Sequence, residues 1–134
     1  MTSAPRPAER GTALAVVLWA LVALGALALA ASVGAVVDLR LAIRYREHAA
    51  SLAAAETALA EALAAVTRDP ARAARADSVT GAEGGATWRS RWSPTDGRVR
   101  LGSTGSVGSA TREIEAWAEP SGAGWRITAW REIR

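Results

Sequence analysis

From Thr12 to Val37 the chain carries no charged residue, and most positions are Ala, Leu or Val. No other feature restricts its folding as much. Ala and Leu favour the helix, and as a helix the run reaches about 39 Å, against about 30 Å for the hydrocarbon core of a bilayer. A soluble chain of 134 residues has too little remaining mass to surround such a helix. The run therefore reads as a membrane segment. A cleavable secretory signal is the rival reading, with Arg6 and Arg10 as its charged n-region and Ala28-Leu29-Ala30 or Ala30-Ala31-Ser32 as the cleavage site. The stretch exceeds the usual h-region of about 7–15 residues, and it passes into helix-forming sequence without a turn. Flanking charge does not orient it. Arg6 and Arg10 with Glu9 stand at one end, and Arg40, Arg44 and Arg46 with Asp38 and Glu47 at the other.

Helical character continues beyond the apolar run. Leu52, Leu59, Leu63 and Val66 recur at spacings of seven, four and three, one stripe of an amphipathic helix over 38–68. Asp69-Pro70 ends it, because a residue preceding proline is pushed out of the α region. Residues 69–85, rich in Ala, Gly and charge, read as a linker. From Ala86 the period becomes two. Trp88, Ser90 and Trp92 alternate with Arg89 and Arg91; Ser93 to Gly97 reads as a type I turn; Arg98 to Leu101 alternates again. After a Gly/Ser/Thr connection over 102–109 come two further alternating runs, Arg112 to Ala118 and Trp125 to Arg131, split by a turn at Pro120 to Gly124. The expected fold is α+β: a long N-terminal membrane-spanning helix whose second half packs on a small antiparallel sheet of four strands in 86–134. The stripe is the only available cover for the apolar sheet face.

Composition removes several function classes. There is no cysteine and one histidine, His48, so disulfides, Cys-ligated metals and multi-histidine sites are ruled out. All sixteen basic residues are arginine, and the net charge of +3 is too small to argue for nucleic acid. Phe is absent, while five of the six Trp lie between Trp88 and Trp130, so tryptophan must supply the bulk of any C-terminal core or contact surface.

Arg10-Gly11-Thr12-Ala13-Leu14 and the apolar run after it resemble the signature of type IV prepilins. The order of parts along the whole chain is similar to that family: a charged leader Met1–Gly11, a filament-core helix half 12–37, its amphipathic continuation, and a terminal β domain. Ala54 to Leu59, Gly102 to Arg112 and Trp130 to Ile133 resemble segments of that family, and Leu14 to Leu24 with Leu18-Trp19 look most like its minor pilins and minor pseudopilins. The resemblance implies a non-enzymatic structural subunit without cofactors. Prepilin peptidase would cut between Gly11 and Thr12, with methylation of the new terminus. The protein would sit in the bacterial inner membrane, N-terminus cytoplasmic, and assemble with other pilin-like subunits into a pilus or type II secretion filament. Two departures stand out. Most major pilins carry a glutamate where this chain has Val16, and Thr12 replaces the usual larger apolar residue. The missing glutamate suits a subunit at or near a filament tip. A bitopic protein with a partner-binding β domain and a secreted small domain are the alternatives.

The remaining motifs favour plain readings. Gly102 to Ser109 lacks the Gly-Lys-Ser/Thr ending of a phosphate loop and contains no nucleophile elbow. Glu113 and Glu115 share a strand face with no implied cleft, and read as solvated. Arg89, Arg91, Arg98 and Arg100 interleave with Trp88 and Trp92, as in a single-strand nucleic-acid groove; the solvent face of a hairpin is the preferred reading, and nucleic acid is not expected as a partner. Glu56 reads as an exposed helix charge, and Tyr45 and His48 as interfacial anchors. Gly25 and Gly34 could loosen the helix or mark close packing between membrane helices.

Overall fold

The computed structural model describes residues 7–122 and 124–133. The first of these belong to a helix, α1 (Pro7–Arg68), which starts inside the segment read as a leader. Met1–Arg6 of that leader lie outside the described residues. Two compact units divide the chain between Ala42 and Ile43. In the first, every described side chain from Thr12 onward is exposed, including Leu14, Val16, Trp19 and Leu29.

In the second unit α1 ends where expected. Asp69 adopts an extended conformation before Pro70, and its carboxylate accepts from the Ala71 N–H at 3.1 Å, capping the single-turn α2 (Pro70–Ala73). An antiparallel meander follows, in the order β1 (Asp77–Glu83), β2 (Ala86–Thr95), β3 (Arg98–Val107), β4 (Ala110–Ser121) and β5 (Gly124–Glu132). The α+β class is as expected.

Three details of the sequence reading are corrected. The linker assigned to 69–85 contains α2 and a full edge strand, β1, giving five strands. Its Ser-Val-Thr-Gly-Ala core has too little apolar bulk to show a period of two. The turn assigned to Ser93–Gly97 is tighter: Ser93, Pro94 and Thr95 continue β2, and only Asp96 and Gly97 turn, both at positive φ (49° and 78°). That is the type I′ geometry, whose twist matches flanking strands as type I does not. The Gly/Ser/Thr connection is also wrong for 102–107, which form the second half of β3.

The reason lies beneath the helix. Ser51, Ala54, Ala55, Ala58, Leu59, Ala62, Ala65 and Val66 are buried at helical spacing. Most are alanines, so the α1 backbone descends close to the sheet. Gly105 of β3 lies directly under it: a Cβ there would overlap the Ser51 carbonyl oxygen and the Ala55 nitrogen. A loop-like composition is thus what close helix–sheet contact requires. Around this contact Trp92, Val99, Leu101, Ile114, Ala116 and Ala118 complete the core, each large aliphatic contributing about 1.5–3 kcal/mol on burial. The buried Ser90 and Ser103 hydroxyls satisfy one another at 2.8 Å across β2 and β3.

Candidate functional site

The exposed apolar surface of α1 is the feature that demands a partner. Among the described residues it is the one helix long and apolar enough to cross a membrane. Leu14, Leu18, Trp19, Leu21 and Leu27 are each more than 60 % exposed, a surface unsuited to water over this length. Its backbone is satisfied internally by the helix, and the Ser32 hydroxyl donates to the Ala28 carbonyl at 2.9 Å, so that polar group is also satisfied. Val16 is 68 % exposed on this surface. A Cβ added at Gly25 or Gly34 would meet no other part of the chain within 4 Å. Gly11 and Thr12 both lie within α1.

The residues of the expected stripe separate into two groups. Leu59 and Val66 are in the core; Leu52 and Leu63 are half-buried at its margin. The central line is alanine, which sequence reasoning passed over because alanine also fills the other faces of α1. Polar clips hold the helix to the sheet. Glu47 accepts from the Ser109 hydroxyl at 3.1 Å in the β3–β4 turn, and Glu61 accepts from the Trp88 indole N–H at 2.9 Å. The Trp92 indole N–H donates to the Arg72 carbonyl at 3.0 Å; the Arg72 guanidinium lies over the Trp92 ring at 5.1 Å and pairs with Asp77 at 2.7 Å. The Ser78 backbone N–H, then the Arg72 side chain, hold the Asp77 carboxyl below its ordinary range.

On the opposite face of the sheet the solvated reading of Glu115 is overturned. Its carboxylate is buried and receives Arg131 through Nε at 2.8 Å and Nη2 at 2.5 Å, together with Arg100. Bonding from Arg131, then from Arg100, outweighs desolvation and lowers its pKa. Arg100 also lies 5.7 Å from the Trp117 ring. Two guanidinium groups converge here because Glu115 on β4 is in register with Arg131 on β5, while Arg100 is one row away on β3. Cross-strand register is invisible in the sequence. Trp88 and Trp92 face α1, away from Arg89 and Arg91, so the interleaving that suggested a nucleic-acid groove separates onto two faces. Glu56, Tyr45 and His48 are exposed. Among the described residues no group of three or more His, Cys, Asp or Glu is placed to hold a metal. No protein-family model, curated protein or solved structure matches the chain.

Proposed function

We propose that the chain is a structural subunit of a type IV pilin-like filament, a minor pilin or minor pseudopilin without enzymatic activity. It is made as a membrane-anchored precursor, cut after Gly11 and assembled through its apolar helix. The observation that carries this reading is the division of labour along α1. Residues 12–37 expose an unbroken apolar surface that lipid or neighbouring helices can cover, and residues 51–66 bury a small-residue stripe on a meander. A filament needs both parts: an anchor that exchanges lipid for other subunits, and a folded domain that stays attached to it. The charged segment ending in Gly11 supports the leader assignment. Quantitative mass spectrometry of filaments isolated from the source bacterium tests the reading. The chain should co-purify with other pilin-like subunits at a small fraction of the major one. Recovery solely from the membrane, with no co-purifying subunit, would replace it with a bitopic protein.

A further inference from the structure

On the sheet face turned away from α1, arginines are matched with acids almost throughout. Arg98 pairs with Glu119 at 2.8 Å, and Arg100 and Arg131 share Glu115. Arg126 on β5 makes no ion pair among the described residues; Arg89 and Arg91 are the unpaired arginines that stand side by side. Both are exposed, and among the described residues neither side chain makes an ion pair, a hydrogen bond or a ring contact. Register sets Thr80 and Thr104 on either side of Arg89, and Ser78 and Gly102 on either side of Arg91. The two arginines thus project from one strand face with their Cα atoms about 6.6 Å apart by strand rise, flanked by hydroxyls and bare backbone. Gly102 forms an open floor, with no atom within 4 Å of where its Cβ would stand. Together with Ser78 and Thr104 these residues line an open depression of about 720 Å³. Glu113, beyond Thr104 on β4, also lines it and bonds neither arginine; Glu115 there is already neutralised by Arg100 and Arg131.

Like charges this close repel, and their forked donors fit the oxygens of a tetrahedral anion. We infer that Arg89 and Arg91 form a binding site for a divalent tetrahedral oxyanion, a phosphate either free or as a monoester. The anion sits over Gly102, taking guanidinium donors from both arginines and a hydroxyl donor from Thr104, the same-face neighbour of Gly102 on β3. This site stands whether or not the chain polymerises, since it uses only the outer face of the sheet.

The test uses the full chain in detergent, labelled with nitrogen-15, and follows the arginine Nε–Hε signals. Inorganic phosphate and glycerol phosphate are titrated separately, with chloride holding ionic strength constant. The Arg89 and Arg91 signals should move together along one saturating curve, while Arg126, exposed on the same sheet, stays still. Arg89→Gln with Arg91→Gln should weaken binding by about tenfold or more. Gly102→Val keeps both charges but fills the floor, and should weaken binding at an unchanged melting temperature. Tighter binding of glycerol phosphate identifies an esterified group as the ligand, and equal binding a free ion; both support the site. Non-saturating shifts, an equal response at Arg126, or unchanged affinity in the double variant would overturn it.

Discussion

Substituting Gly105 with alanine adds one methyl group, and the fold gives it nowhere to go. The atoms it would meet are the Ser51 carbonyl oxygen and the Ala55 nitrogen, both backbone, so no side-chain rotamer can relieve the overlap. Either α1 lifts from β3 or the strand bends away, and both loosen the contacts of Ala55, Ala58 and Ala62 with the sheet. Overpacking of a close-packed interior costs typically about 1–3 kcal/mol, and occasionally more. Rigid neighbours place this substitution at the upper end. For a domain of 60–100 residues, about 1 kcal/mol corresponds to about 4–8 °C in melting temperature, so Gly105→Ala should lower that of the second unit, Ile43–Arg134, by about 10–20 °C. Gly102→Ala is the internal control. It lies on the same strand with open space at its Cβ position, and its effect should stay within about 0.5 kcal/mol. Thermal unfolding of both variants by circular dichroism decides the matter. Equal melting temperatures for Gly105→Ala and Gly102→Ala would refute the seating of α1 on β3.

Three further outcomes are expected. Leu59→Ala, in the core, should cost about 2–5 kcal/mol and clearly more than Leu63→Ala at the margin, measured by denaturant unfolding; equal costs would mean that the helix is rotated about its axis. Because the folded-state pKa of Glu115 lies below the ordinary 4.5, its contribution is present above that value and lost as pH falls through the folded value. Glu115→Gln should therefore be less stable than the parent at pH 7, with the gap closing in acid unfolding curves as pH falls below the ordinary 4.5 through the lowered folded value; a gap independent of pH would remove the carboxylate from the explanation. Val16→Glu should let the protein enter the filament shaft, read by immunogold labelling, since burying a terminal amine unpaired costs several kcal/mol; unchanged positions would make the β domain the determinant.

What could be read from the sequence followed from strong periodicity. The uncharged run, the Asp69-Pro70 stop and the alternation around Trp88, Trp92 and Trp117 each leave one dominant local signal, and helix end and strand core followed from them. The failures share a cause. Alanine and glycine are weak in any hydropathy pattern, yet here they form the interface: the alanine stripe of α1 above Gly105, and β1, whose small residues look like linker. Glu115 was misread because its burial depends on Arg100 and Arg131 arriving from two other strands, a matter of register that no local window contains. The pair Arg89 and Arg91 was visible as charge; that Arg98, Arg100 and Arg131 on that face are held by Glu119 and Glu115 was not.

The N-terminal residue of the mature protein tests the central claim most directly. Under the proposed processing the leader ends at Gly11 and the apolar half of α1 is retained, so the chain, purified from the membranes of the source bacterium and measured by intact mass and N-terminal sequencing, should begin at Thr12. Substituting Gly11 with a bulky residue should leave the precursor uncut. A chain still beginning at Met1 would contradict prepilin processing and favour a bitopic protein, and a chain beginning near Ala31 or Ser32 would mean that the apolar run is a secretory signal, not a filament core.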